Sequence, residues 1–138
     1  MKIVFLGTPG FAVPFLDALV GDDRIDVVAV VAQPDKPSGR GGALRAPVTK
    51  IFAESKNIEV LQPASLKSDP NIVDVLNDLN ADAFVVVAYG KIIPENILSI
   101  PKLGNINVHP SALPLHRGPS PMQWAIAGGD ATTGVSIM

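Results

Sequence analysis

The stretch KIVFLGTPGFAVPFLDALVGDDRIDVVAVVA, residues 2–32, decides the fold class of this chain. Its first segment, Lys2 to Leu6, is a short apolar run closed by a glycine, as is typical of a buried parallel strand. A helix is predicted from about Gly10 to Val20, with Thr8 as its N-cap. Val27 to Ala32 is a second strand made of valine and alanine. This β-α-β order predicts the start of a doubly wound sheet.

The rest of the chain repeats the alternation of strands and helices. Further strands are predicted at Glu59–Leu61, Ala83–Val87, Gly104–Val108 and Gly134–Met138. Helices are predicted at Val48–Lys56, Asp69–Leu79, Pro94–Leu98 and Pro121–Ala127, the last of them capped by Ser120. We therefore expect an α/β fold, with a doubly wound, mostly parallel sheet and helices on both of its faces.

The composition is that of one globular domain. The 138 residues are 47% hydrophobic and 17% charged, and the net charge of −2 argues against a surface coated in positive charge, though not against a local basic site. Cysteine is absent and the two histidines share one proline-rich stretch, so neither disulfides nor a metal site are expected. The apolar N-terminus is too short for a signal peptide, and no run approaches the ~20 apolar residues of a membrane span. The expected compartment is the cytoplasm.

Three turns follow predicted strands and should meet at one edge of the sheet: Gly7–Pro9, Ala88–Gly90 and Asn107–Pro110. Ligands of such sheets bind outside the carboxyl ends of the strands. The GTPGF turn lacks the G-x-G-x-x-G spacing of a dinucleotide loop, and Gln33, rather than an acidic residue, follows the second strand. We interpret GTPGF as a tight turn, and an NAD-dependent domain is disfavoured.

Asn107 and His109 begin the stretch NVHPSALPLHRGPSPMQW, residues 107–124, which holds both histidines and four prolines. Residues two apart on a strand face the same side, so an amide and an imidazole should lie side by side. Two interpretations are open: a packed, hydrogen-bonded histidine, or a pair of donors that stabilise the oxyanion of a carbonyl under attack. No Ser/Asp partner stands at triad spacing, which suggests that a nucleophile arrives with a substrate. His116 is interpreted as a surface residue of the loop.

The run NVHPSALPLHRGPSPMQWAIAGGDATTGVSIM, residues 107–138, resembles the core motif of folate-dependent formyltransferases. In that family an Asn-x-His pair leads into a Ser-Leu-Leu-Pro segment, an Arg-Gly and a Pro-x-x-Trp/Arg helix. The segments KIVFLGTPGFAVPFLDAL, VVAQPDKPSGRG and VVVAYGKIIP resemble the members that formylate methionyl-tRNA. The similarity covers essentially the whole chain and implies the family's Rossmann-like N-terminal domain.

The resemblance implies a reaction and a catalytic pair. A formyl group would pass from 10-formyltetrahydrofolate to the α-amine of initiator methionyl-tRNA through a tetrahedral intermediate, with no metal. Asn107 and His109 would stabilise its oxyanion, and His109 would also move a proton to the leaving folate nitrogen. This agrees with the second interpretation of the bare residues, with the acceptor amine as the nucleophile.

The resemblance also implies two sets of binding residues. Folate contacts are implied for Ser111, Ala112, Leu113, Pro114, Ala88, Tyr89 and Gly90, with Ala112 in place of the family's usual leucine. Contacts to tRNA are implied for Arg40, Gly41, Gly42 and Arg45. The last four lie in the basic loop Gln33–Pro47, predicted to be long and flexible; without the resemblance it would be interpreted as a solvated loop.

Two features of the family are expected beyond Met138: an aspartate after the strand Gly134–Met138 and a C-terminal β-rich domain that helps to hold tRNA. Asp130 is not that aspartate, because it sits in a turn before the strand. We therefore expect residues 1–138 to be an N-terminal fragment of the catalytic domain, monomeric and with little turnover alone. The alternatives are an amino-sugar or glycinamide ribonucleotide formyltransferase, or a non-catalytic folate- or nucleotide-binding module.

Overall fold

Eight strands and five α-helices lie within residues 1–38 and 42–138, the part of the chain that the computed structural model describes. The strands are β1 (Lys2–Gly7), β2 (Asp26–Val31), β3 (Lys36–Ser38), β4 (Ala43–Arg45), β5 (Glu59–Leu61), β6 (Ala83–Val87), β7 (Asn105–His109) and β8 (Ser136–Ile137). The helices are α1 (Val13–Val20), preceded by a 3-10 turn at Gly10–Ala12, α2 (Val48–Ser55), α3 (Ile72–Asp78), α4 (Glu95–Leu98) and α5 (Pro121–Ala127). None of these helices has the length and apolar character needed to cross a membrane.

Six of the strands form one sheet in the order β5-β2-β1-β6-β7-β8. The pairs are parallel except for β7 with β8, which is antiparallel. The chain builds outward from β1 to β2 and β5, then returns to the other side of β1 for β6 and β7. The predicted doubly wound, mostly parallel sheet is confirmed. The strand order reverses between β1 and β6, which is where such sheets open a crevice at their carboxyl edge.

The core lies in two layers, one on each face of the sheet. On β1, Ile3 and Phe5 face one layer while Val4 and Leu6 face the other, and all four are 0% exposed. The first layer includes buried residues of α1 and α2, and the second includes those of α3 and α4. Because helices cover both faces, β1 is a continuous apolar run rather than an alternating one.

The two predicted helix caps are wrong. The 3-10 turn separates Thr8 from α1. The Thr8 hydroxyl instead donates to the Tyr89 carbonyl at 3.0 Å and accepts from the backbone N–H of Gln33 at 3.3 Å. Thr8 therefore joins the ends of three strands instead of starting a helix. Ser120 stands at the N-cap position of α5, but with φ 59° and no side-chain bond to the helix.

The Gln33–Pro47 segment, predicted to be a long flexible loop, contains the antiparallel hairpin β3–β4. Its base is fixed by Asp35, which accepts hydrogen bonds from Gln62 Nε2 at 2.7 Å and from Lys50 Nζ at 3.1 Å. These bonds, that from Gln62 foremost, hold the pKa of Asp35 below its usual range. The base of the basic segment is therefore held in place by these hydrogen bonds.

Candidate active site at the carboxyl edge of the sheet

A cleft of about 670 Å³ opens at the carboxyl ends of β1, β6 and β7. Its walls include Pro9 after β1, Ala88 after β6, Asn107 and His109 on β7, and Pro121 at the start of α5. The volume is within the roughly 300–1,000 Å³ of small-molecule sites. The cleft thus lies where the reversal of strand order predicts a ligand site.

Asn107 and His109 both line this cleft, on the same face of β7. Val108 between them points to the opposite face and is buried at 6% exposure. The Asn107 backbone is fixed on two sides, by its register with Val86 and by hydrogen bonds of 2.6 and 3.0 Å to the backbone of Met138. The structure therefore brings together the predicted amide and imidazole.

The His109 ring is oriented by a backbone carbonyl. Its Nε2 lies 3.0 Å from the carbonyl oxygen of His116. Because a carbonyl only accepts, Nε2 must carry a proton and donate it. Nδ1 is then the nitrogen that can exchange a proton with a bound substrate.

His116 is a supporting residue that the sequence interpretation missed. Its side chain is only 21% exposed, and its Nε2 pairs with Asp130 Oδ2 at 2.5 Å. The side chain, interpreted from the sequence as part of the loop surface, is thus partly buried and paired rather than free in solvent. Its backbone is left-handed, with φ 51°, which aims its carbonyl at His109. No sequence pattern signals this link, because it runs through a main-chain oxygen.

The turn Ala88–Gly90, predicted to contact folate, lines the cleft along its whole length. Its ends are left-handed, with φ 49° at Ala88 and 86° at Gly90. Tyr89 between them is 2% exposed, and burial raises the pKa of its phenol. Its backbone carbonyl accepts a hydrogen bond from the Thr8 hydroxyl at 3.0 Å, which ties this turn to the end of β1.

Two buried polar atoms, on residues that line the cleft, lack a hydrogen-bond partner among the described residues. They are the Tyr89 hydroxyl and Oδ1 of Asn105, whose Nδ2 donates to the Leu98 carbonyl at 2.7 Å. Buried polar groups are normally paired, so these two side chains are candidates for hydrogen bonds to a ligand in the cleft.

The other predicted folate residues, Ser111 to Pro114, do not line the cleft. Ser111 is 0% exposed and its Oγ donates to the Leu115 carbonyl at 2.7 Å. Ser136 Oγ donates to the Ser111 carbonyl at 2.8 Å and accepts from the Leu113 amide at 3.1 Å. These bonds tie the segment to β8, and its folate contacts stay a prediction.

A second, smaller cleft of about 310 Å³ lies between the end of β2 and the β3–β4 hairpin. Arg45, predicted to contact tRNA, lines this cleft, and so does Lys36, which is in register with it across the hairpin. Gly42 is exposed with φ 64°, while Arg40 and Gly41 lie outside the described residues. Sequence reasoning missed Lys36 because the pairing of the two cations depends on the unpredicted hairpin.

Comparison with known proteins assigns the family. The model of the formyl transferase family matches residues 1–138. Two similar relatives are methionyl-tRNA formyltransferases: that of Synechococcus sp. strain JA-3-3Ab is 51% identical over 139 residues, and that of Acetivibrio thermocellus is 50% identical over 138 residues. Each alignment covers all of this chain but only 43% and 44% of the relative. The chain thus spans less than half the length of these relatives.

Solved structures share the fold. Phosphoribosylglycinamide formyltransferase from Bacillus halodurans superposes with a TM-score of 0.75 at 20% identity, covering 99% of this chain and 70% of that one. A 4-N formyltransferase from Francisella tularensis gives 0.62 at 18% identity, covering 99% and 48%. With the sheet, the carboxyl-edge cleft and the full-length match in agreement, the chain belongs to the formyl transferase family.

Proposed function

We propose that this chain forms the folate-binding and catalytic part of a methionyl-tRNA formyltransferase. The reaction is transfer of a formyl group from 10-formyltetrahydrofolate to the α-amine of initiator methionyl-tRNA, in translation initiation in the cytoplasm. The monomeric state expected from the sequence is part of this proposal. The observation that carries it is the placement of Asn107 and His109 side by side in the large cleft. The two methionyl-tRNA formyltransferases, which are 51% and 50% identical to this chain, support the choice of methionyl-tRNA as the acceptor.

The cleft suits the pterin end of a folate. Its lining is largely apolar, with Val86, Ile93 and Leu98 among the residues that would pack on a flat ring. The unpaired Tyr89 hydroxyl and Asn105 Oδ1 offer hydrogen bonds to the polar edge of that ring. The formyl group would then lie towards the mouth of the cleft, beside Asn107 and His109.

The reaction begins when the α-amine of methionine attacks the formyl carbon. A new C–N bond forms, and the formyl C=O becomes a tetrahedral C–O⁻. The Asn107 side-chain amide donates a hydrogen bond to this oxyanion, a stabilisation that strengthens as charge develops. Because the Asn107 backbone is fixed on both sides, its side chain projects into the cleft from a set position on β7.

His109 handles the proton. With Nε2–H held by the His116 carbonyl, Nδ1 of the neutral ring takes a proton from the attacking amine. The oxyanion then collapses, the bond from carbon to the folate nitrogen breaks, and the proton passes from His109 to that leaving nitrogen. The ring ends neutral, ready for another turnover.

The test compares the 138-residue chain with a chimera that joins it to the remaining C-terminal part of the Synechococcus relative. Single-turnover reactions contain 10-formyltetrahydrofolate and methionyl initiator tRNA, and formylmethionyl-tRNA is measured. We expect product from the chimera and little from the short chain, since the family's later carboxylate and β-rich domain are supplied only in the chimera. Asn107→Ala in the chimera should slow the reaction by ~10²–10³.

Ile106→Ala is the matched control, because Ile106 neighbours Asn107 but points to the other face of β7 and is 40% exposed. It should leave the rate close to that of the parent chimera. An Asn107→Ala chimera that reacts as fast as Ile106→Ala would remove Asn107 from the mechanism. A chimera that binds folate but yields no product would favour a binding module instead.

A further inference from the structure

A line of contacts runs from the far end of α5 to the histidine of the large cleft. Asp130 Oδ2 lies 2.5 Å from His116 Nε2, and the carbonyl oxygen of His116 lies 3.0 Å from His109 Nε2. Asp130 does not line the large cleft and has no part in the formyl-transfer steps above. Its pairing with His116 therefore calls for another explanation.

The His116 backbone adopts a conformation that depends on its surroundings. Its φ of 51° is left-handed, which is uncommon for a residue with a Cβ, although histidine is among the residues enriched there. Ser120, later in the same loop, is left-handed as well, with φ 59°. Such conformations cost free energy and persist where neighbouring contacts fix them. The position of the His116 carbonyl thus depends on what holds this loop.

The loop is held on two sides of His116. Before it, the Leu115 N–H donates to the Ala112 carbonyl at 3.1 Å, and the Leu115 carbonyl accepts from the Ser111 hydroxyl at 2.7 Å. These hydrogen bonds close the loop on itself. The pairing of the His116 ring with Asp130 instead ties the loop to the end of α5. The His116 side chain is therefore a link between two elements rather than a free surface group.

Asp130 is a fixed point for this link. Its N–H donates to the Ala125 carbonyl at 3.0 Å across Gly129, whose φ of 72° gives the left-handed turn common at helix C-termini. Ala125 belongs to α5 and is 5% exposed, so the turn is attached to the packed side of the helix. A carboxylate just past a helix C-terminus opposes the helix dipole. The pairing with His116 offsets this unfavourable position.

We propose that Asp130 is a positioning residue for His109, acting through His116. The Asp130 carboxylate accepts a hydrogen bond from His116 Nε2–H and so keeps the His116 backbone left-handed. The His116 carbonyl then accepts a hydrogen bond from His109 Nε2–H, which fixes the His109 ring and leaves its Nδ1 for the reacting amine. The identity of the reaction rests on the proposed function.

The first test observes the His109 ring directly in the 138-residue chain. Because the chain has two histidines, an NMR spectrum of histidine labelled with ¹⁵N in the ring contains two rings, and His116→Gly leaves His109 alone. A ring N–H proton exchanges more slowly with water when it is held in a hydrogen bond. We expect slow exchange of His109 Nε2–H in the parent chain and exchange about tenfold faster in Asp130→Ala, the change expected for one hydrogen bond.

Three variants separate this link from general loosening of the loop. Asp130→Asn keeps an oxygen that can accept from His116 and should exchange like the parent chain. Asp78→Ala removes a carboxylate from the exposed end of α3 and should do the same. His116→Gly accepts a left-handed φ without offering a ring to Asp130, so adding Asp130→Ala to it should change nothing further.

Three results would overturn the inference. They are parent-like exchange at His109 in Asp130→Ala, fast exchange also in Asp130→Asn, and a further acceleration when Asp130→Ala is added to His116→Gly. The first would show that His109 is held without Asp130. The second would show that the negative charge matters rather than the hydrogen bond. The third would show that Asp130 acts by a path other than His116.

The second test measures kcat and KM in the chimera described above. Asp130→Ala should lower kcat about tenfold and leave KM for both substrates unchanged, because Asp130 holds a catalytic group and contacts neither substrate. Rates are divided by the concentration of folate sites, titrated with 5,8-dideazafolate, so unfolded protein does not count as slow enzyme. A parent-like kcat in Asp130→Ala overturns the inference. A parent chimera without product overturns the proposed function, and the exchange measurement then decides the inference by itself.

Discussion

The strands β1 and β7 flank the same neighbour, β6, yet they are opposite in character. Both pair with β6 in parallel register, β1 through Ile3–Gly7 and β7 through Asn105–Val108. Five of the six β1 residues are buried, and all of these five are apolar or glycine. In β7 only Val108 is buried, and polar residues alternate with apolar ones.

The difference follows from what covers each strand. Helices pack on both faces of β1, so each of its four side chains from Ile3 to Leu6 contributes to one of the two core layers. On β7 one face is open to the large cleft, which leaves Asn107 and His109 accessible to a ligand. Stability should therefore depend most on β1, and ligand chemistry on β7, although the two strands share one sheet.

Phe5→Ala tests the stability half of this comparison and should have the largest effect. Phe5 is 0% exposed at the centre of one core layer, and a buried Phe→Ala change usually costs about 3–5 kcal/mol. Urea unfolding followed by circular dichroism measures the loss. Ile106→Ala on β7, where the side chain is 40% exposed, should lose much less. Equal losses would show that β7 is part of the core in the same sense as β1.

Gly7→Ala tests how tightly the carboxyl end of β1 is packed. A Cβ at Gly7 would lie 2.6 Å from the Phe5 ring and 2.8 Å from the Val87 carbonyl oxygen, so overpacking should cost about 1–3 kcal/mol. Gly10→Ala is the matched control, since the nearest atom to its Cβ, on Val48, is 4.0 Å away. If both variants unfold at the same urea concentration, the end of β1 has more room than the structure shows.

The six strands of the main sheet were predictable because their sequence signals are local. Ala83–Val87 is predicted and found with identical bounds, since a run of Val and Phe between turns has few other solutions. The same-side placement of Asn107 and His109 followed from the two-residue period of a strand. Both inferences needed only neighbouring residues.

The rest of the site depends on contacts that are distant in sequence. Thr8 looks like a helix cap, but its hydroxyl bonds to Tyr89, a residue 81 positions away. The hairpin β3–β4 pairs Lys36–Ser38 with Ala43–Arg45 in a segment that composition alone describes as a loop. The support of His109 by the His116 carbonyl involves no side-chain signal at all. Tertiary partners overrode local propensity in each case.

Asn107→Ala should change stability far less than it changes the rate of the chimera. The Asn107 side chain is half-buried and makes no hydrogen bond to the part of the protein that the structure describes, so the change in unfolding free energy should stay within ~0.5 kcal/mol. The measurement is urea unfolding of the 138-residue chain beside Phe5→Ala. A loss comparable to that of Phe5→Ala would mean that the amide is structural, against the division of roles between the strands.

Asp35 follows the end of β2, on the other side of β1 from β7, and its carboxylate holds the base of the hairpin. Hydrogen bonds from Gln62 and then Lys50 lower its pKa in the folded chain, below the ~3.9 of an unfolded aspartate. The folded state therefore favours the carboxylate, and this stabilisation is complete above about pH 4 and is lost as the pH falls through the folded pKa. The side chain is 30% exposed, so solvent screening keeps the effect small.

Asp35→Asn checks this by melting temperatures at pH 6, 4 and 3. At pH 6 the variant should melt slightly below the parent chain, and the gap should close towards pH 3 as the parent carboxylate takes up a proton. Asp22→Asn is the comparison variant for a surface ion pair, because the Asp22 carboxylate bonds only to Arg24, two residues away, and these bonds also lower its pKa. If the gap at Asp35 does not narrow on acidification, the hairpin base is held by shape and neutral hydrogen bonds. The end of β2 would then resemble β1, which is stabilised by packing rather than by charge.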